Sequence, residues 1–193
     1  MDYASYPAET VQDIVRLRRR IAASGLPPRS TDHNLIVGTW NVRAFGRLYP
    51  HWDENPDSPK RNLRGLACIA EVVRHFDVIA IQEVLRDTEA IRALVAEFLG
   101  PSWRLILSDA TAGDAGNAWF MGDHMSLQFS GSAGTVDFAG AVFQHLGQQA
   151  MTYRVSDHFP LWAEFLIDHS DQHMARTLNL DPYAPDPFAG VPD

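Results

Sequence analysis

Three stretches of this chain end or begin in side chains able to bind a ligand or move a proton. Glu83 closes the run Asp77-Val78-Ile79-Ala80-Ile81-Gln82-Glu83-Val84, and Asn41 closes Leu35-Ile36-Val37-Gly38-Thr39-Trp40-Asn41. Asp157 and His158, in Ser156-Asp157-His158, come just before the apolar run that starts at Pro160. A carboxylate at the carboxyl end of a strand lies where open α/β sheets place their ligand sites. A His beside an Asp is a pairing used in general acid–base work. Each group also has a plain alternative: Asn41 as a turn residue, Glu83 as the solvated start of a loop, and Ser156-Asp157 as a turn and cap. The functional argument depends on whether the three ends meet.

The elements that would bring them together follow from periodicity. Residues 78–84, largely apolar and β-branched, read as a strand covered on both faces, and residues 35–42 read as the first strand. Between them, Leu63, Leu66, Ala67, Ala70, Val73 and Phe76 recur near helical spacing, which predicts a helix over 61–75. Strand, helix, strand at this spacing predicts a crossover, with neighbouring parallel strands or a mixed sheet. The long loop 43–59, rich in Pro, Asp and Asn, has a length common among functional or mobile loops. A helix over 7–24 is predicted from the stripe Val11, Ile14, Val15, Leu17, Arg18, Ile21, with Arg16, Arg18, Arg19 and Arg20 as a solvated face. A further helix over 88–99 is predicted, with Asp87 able to cap it. Trp103 to Leu107 reads as a third strand, 125–129 as a short one, and 136–143 as either strand or helix. The final strand is Pro160 to Ile167, followed by a polar, Pro-rich tail whose last dozen residues are predicted to be disordered.

At 193 residues the chain has the size of one domain, and 46% hydrophobic with 21% charged residues is ordinary for a globular protein. The net charge of −8 argues against a broad nucleic-acid-gripping surface, which needs clustered Lys and Arg. It leaves room for a phosphate ester held through a metal ion, because the ion brings its own positive charge. Cys68 is the single cysteine, so no internal disulfide forms. With no basic-then-apolar start and no apolar run of membrane-span length, the expectation is a cytoplasmic protein without a membrane span.

These residues resemble the endonuclease/exonuclease/phosphatase superfamily, the metal-dependent phosphoesterases that include DNase I-like nucleases. Three blocks carry the resemblance, in family order: Leu35 to Arg43, Phe76 to Val84, and Ser156-Asp157-His158-Phe159-Pro160-Leu161. The resemblance implies an α/β protein with a DNase I-like β-sandwich flanked by helices. It divides the chain into an N-terminal helix (1–30), a truncated family domain (31–168) and a C-terminal tail (169–193). It implies metal-dependent hydrolysis of a phosphodiester or phosphomonoester, with Mg²⁺ or Mn²⁺ as cofactor. Glu83 and Asn41 match residues at the metal, with Asp157 near it, and His158 matches the catalytic His at the phosphate. Gly122-Asp123-His124-Met125-Ser126-Leu127 matches the family's strand whose Asp, here Asp123, orients that His.

The chain between the Glu block and the Ser-Asp-His block is shorter than in the family, so the expected sandwich is a reduced one. The family's Gly-Asp-x-Asn motif is not found, since Met125 stands where Asn is needed. Two functions therefore follow from the sequence. One is a phosphoesterase acting on a phosphate ester. The other is a catalytically impaired relative that serves as a binding or structural module, with partner strands from a second copy, a homo-oligomer, as one way to complete the sheet.

Overall fold

The computed structural model describes residues 2–30, 33–105 and 128–168, together with 170, 174, 177 and 178. Its centre is β1, Asn34–Phe45, whose inward side chains Ile36, Trp40 and Val42 are fully buried. Gly38 lies on the same face. A Cβ there would sit 2.3 Å from two ring carbons of Phe76, so only glycine lets that ring lie on the strand. β1 pairs in parallel with β2, Val78–Val84, in the register Val37↔Val78 to Asn41↔Gln82. On its other side it pairs antiparallel with β4, Leu161–Leu166, and β4 pairs with β3, Phe129–Thr135. Among the described residues the result is one mixed four-stranded sheet in the order β2-β1-β4-β3.

The β1–helix–β2 crossover, expected from spacing, is present. Its helix α2, Leu63–Val73, starts at Asn62, whose side chain accepts a hydrogen bond from the Gly65 amide at 3.0 Å. Arg61 and Asn62 thus precede the helix rather than belonging to it. Every residue from Arg64 to Val73 is buried. α1, Ala8–Ala23, packs on α2 and contributes Ile14, Leu17 and Ile21 to the core.

Several expectations are corrected. β2 is not covered on both faces: among the described residues it is an edge strand, Ile79 and Ile81 pack on the core, and Val78 is 55% exposed. Alternation gives β2 two faces, and only one of them meets the helical layer. A second sheet, which a sandwich requires, is not found among the described residues. No strand forms over Trp103–Leu105, and 106–107 lie outside the described residues. Residues 136–143 are neither strand nor helix but irregular chain with a turn over 139–141, which buries Val136, Phe138, Ala141, Val142 and Phe143. The strand before them, β3, went unpredicted because Gly131, Gly134, Ser130 and Ser132 are weak strand formers, and pairing with β4 overrides that preference. Residues 125–127 and the end of the tail lie outside the described residues. The helix after Asp87 is α3, Glu89–Ala93, which widens into a π-helical turn over Leu94–Leu99 that still buries Ile91, Leu94 and Phe98. No helix among the described residues is long and apolar enough to cross a membrane.

The stripe of α1 is also rotated from its predicted position. Val15 is 42% exposed, whereas Asp13 is fully buried. Asp13 turns inward because Arg64 reaches it from α2, with Nε and Nη2 at 2.8 and 2.7 Å from Oδ2. Arg16 pairs with the other oxygen, and the Phe143 amide donates at 3.2 Å. One turn further on, Arg18 Nε lies 2.6 Å from Glu71, a side chain 1% exposed, and Tyr3 donates its hydroxyl at 3.0 Å. The arginine cluster is therefore not simply a solvated face: Arg18 joins α1 to Glu71 of α2, and Arg16 pairs with Asp13 within α1 while its Nε donates to the Ala141 carbonyl at 2.9 Å.

Two outcomes follow from these buried charges. Asp13→Ala takes the acceptor from the Phe143 amide and leaves Arg64 with Glu9, 2.8 Å from its Nη1, as its carboxylate partner, and is expected to cost about 1–3 kcal/mol, measured by urea unfolding. Burial alone would raise the Glu71 carboxyl, but the neighbouring His75 and Arg18 bring it down to about 2 from the ordinary 4.5. A lowered carboxylate contributes stability above its ordinary value and loses it as pH falls through the folded one. Stability should therefore fall between about pH 4.5 and 2, and Glu71→Gln should flatten that part of the pH profile.

Candidate functional site

The sheet order brings the three predicted ends together. β1 and β2 run parallel, so Asn41 and Glu83 leave the sheet at the same edge, and antiparallel β4 begins there, so the residues before Leu161 arrive at it. The β1–β4 ladder ends at Thr39↔Leu161. Beyond it the Ser156 hydroxyl takes over, donating to the Asn41 carbonyl at 2.6 Å and accepting from the His158 amide at 3.0 Å. The Trp40 indole donates to the His158 carbonyl at 2.8 Å, which fixes the loop from the core side.

Glu83 is held from β1. Its Oε1 accepts from the Asn41 carboxamide at 2.9 Å and its Oε2 from the Ala44 amide at 2.9 Å. The Ala44 amide and then the Asn41 carboxamide hold the carboxyl below its ordinary value, helped by nearby His158 and opposed by Asp157. Glu83 and Ala44 both adopt left-handed backbone, at φ 57° and 45°. Non-glycine residues rarely occupy that region, and such strain gathers at functional sites. The Asn41 Oδ1 is buried and has no hydrogen-bond partner.

The imidazole side is equally ordered. His158 Nδ1 lies 2.9 Å from Asp157 Oδ1, which selects the Nδ1–H tautomer and leaves Nε2 as the acceptor on a side chain 57% exposed. The other oxygen of Asp157 is 3.3 Å from Arg43 Nη1, and the Arg43 guanidinium stacks 4.2 Å from the Tyr153 ring centroid. Asp157 is thus occupied by His158 and Arg43. Asp123, expected as the partner of His158, lies outside the described residues.

Sequence reasoning missed three participants: the Ala44 amide, Arg43 and Arg61. A backbone amide leaves no compositional trace. Arg43 follows Asn41 by two positions on the strand, the one signal that could have marked it. Arg61 falls within the helix that periodicity predicts over 61–75. It is instead buried beneath the site, which pulls its guanidinium down to about 10, with the Glu83 charge opposing. A cleft of about 500 Å³, lined in part by Lys60, Leu146, Tyr153 and Arg154, opens beside the Arg43–Tyr153 stack.

No family model, curated protein or solved structure matches the chain. The arrangement itself offers an ionised carboxylate, a carboxamide oxygen without a partner and an oriented imidazole at one sheet edge. Among the described residues, no group of three or more His, Cys, Asp and Glu side chains is arranged to hold a metal ion.

Removing the Ser156 hydroxyl would leave the Asn41 carbonyl and the His158 amide without partners. Ser156→Ala is expected to cost about 1–3 kcal/mol in urea unfolding, the range for a buried group left unsatisfied.

Proposed function

We propose that this protein is a metal-dependent phosphoesterase of the endonuclease/exonuclease/phosphatase kind, and that the mixed sheet of the described residues belongs to a reduced form of the DNase I-like sandwich. The observation that carries this reading is the meeting of Glu83, Asn41 and the Asp157–His158 pair at one edge. The residues fit a hard cation on the chemistry of the donors. Glu83 carries a carboxylate kept ionised by neutral donors, and the buried Asn41 Oδ1 has no partner of its own. One carboxylate plus a carboxamide suits Mg²⁺ or Mn²⁺, since Mg²⁺ is usually held by one or two carboxylates with waters and substrate phosphate completing its shell. The chemistry supplied by that ion when bound is polarisation of a phosphoryl oxygen and stabilisation of the leaving oxygen.

The chain's own residues do the rest. His158 Nε2, held in place by Asp157, faces the phosphate and handles a proton there. Arg43 balances the Asp157 charge and, stacked on Tyr153, adds positive potential beside the phosphate. The cleft beyond Tyr153 receives the remainder of the ester. A second reading, a relative that binds without turnover, is favoured by the missing Gly-Asp-x-Asn motif, whose Asp and Asn position and activate the attacking water in the family it resembles.

Thermal melting in chelator and in millimolar Mg²⁺ or Mn²⁺ tests the site. The metal should stabilise wild type by about 2.7 kcal/mol at a hundredfold excess over Kd, and the gain should vanish in Glu83→Ala. Hydrolysis of bis(p-nitrophenyl) phosphate and p-nitrophenyl phosphate separates the readings. The enzyme reading predicts metal-dependent turnover lost in His158→Ala with the metal-induced stabilisation intact. Stabilisation without turnover in wild type leaves the binding module.

A further inference from the structure

Arg61 is 4% exposed, and its hydrogen bonds run to neutral acceptors. Nη1 donates to the Ala44 carbonyl at 3.0 Å, and Nη2 donates to the Arg43 carbonyl at 2.6 Å and the Val155 carbonyl at 3.1 Å. The guanidinium carbon lies 5.1 Å from the centroid of the Phe45 ring, and Nε is buried without a hydrogen-bond partner. A buried cation without a bonded carboxylate is an expensive choice where an apolar side chain would fill the space more cheaply. Its value lies in what it joins. Arg43 and Ala44 form the strand end whose amide holds Glu83, and Val155 leads directly into Ser156-Asp157-His158. The two segments are far apart in sequence, and a planar fork of donors can reach both at once.

We propose that Arg61 is the positioning residue of the site: it locks the Asn41–Ala44 strand end to the Val155–His158 loop, and so holds the carboxylate and the imidazole in a fixed relation. It touches no reacting group. Ser156 crosses the same gap with its bond to Asn41, and Arg61 braces it from below with three. The inference rests on the phosphoesterase reading only for what the locked residues do, because the lock is a property of the protein alone.

The test compares wild type, Arg61→Met and Arg61→Lys by amide hydrogen exchange and by the Trp40 indole resonance, assigned with Trp40→Phe. Trp40 reports on the loop through its bond to the His158 carbonyl. In Arg61→Met, exchange at 155–158 and 43–45 should accelerate by about tenfold or more, with amides of α1 and α2 changed less than about twofold. The Trp40 resonance should shift, and Arg61→Lys should fall between, since it keeps the charge but not the fork. Uniform acceleration, or none, would overturn the proposal by making Arg61 a general stabiliser or a bystander. If Arg61→Met does not fold, Arg61→Lys is read alone, and failure of both to fold cooperatively also counts against it. Mn²⁺ added to the same samples keeps the two ideas apart. Broadening of signals from residues 41–44 and 155–158 in wild type, weakened in Arg61→Met, supports both. Local opening in the variant with no Mn²⁺ effect in wild type leaves the lock standing and removes the metal reading.

Discussion

The register of β1 is the constraint on which everything else rests. Because strand side chains alternate, a slip of one residue against β2 or β4 would exchange the two faces of the strand. Trp40 and Val42 would turn away from the helices, Asn41 would turn into the core, and Gly38 would no longer face the Phe76 ring. The same register that buries Trp40 sets Asn41 opposite Gln82, one residue from Glu83. Core packing and site geometry are therefore consequences of one alignment.

The helical layer is tied to that sheet by charge as well as by apolar contact. Asp13–Arg64 and Glu71–Arg18 are ion pairs with at least one member buried, and both cross between α1 and α2. Apolar stripes alone would tolerate a rotation of α1 about its axis. A buried carboxylate that must meet one particular guanidinium does not, since misalignment leaves a desolvated charge without its partner. This explains why the buried stripe includes Thr10 and Asp13 while Val15 faces water.

At the sheet edge the arrangement differs. Glu83 takes its hydrogen bonds from an amide and a carboxamide, both neutral, so its charge is stabilised without being cancelled. Arg61, buried nearby, bonds to carbonyls rather than to that carboxylate. Two opposite charges held apart by neutral dipoles, beside two strained backbone positions, keep an electrostatic field that a direct ion pair would have quenched.

Much of this is legible in the sequence. The apolar runs at 35–42, 78–84 and 160–167 and the helical period over 63–73 are local patterns, and they determined the strands β1, β2 and β4, the crossover helix and the polar residues at their ends. What the pattern could not carry was anything that depends on a distant neighbour. Burial of β2 on one face only, strand formation by the glycine- and serine-rich β3, the inward turn of Asp13 and the burial of Arg61 all depend on contacts between residues far apart in the chain. Residue type signals what a side chain is able to do. The meeting of Glu83, Asn41 and His158 was decided by the parallel and antiparallel pairings of one central strand, because only hydrogen bonding across the sheet fixes which strand ends share an edge.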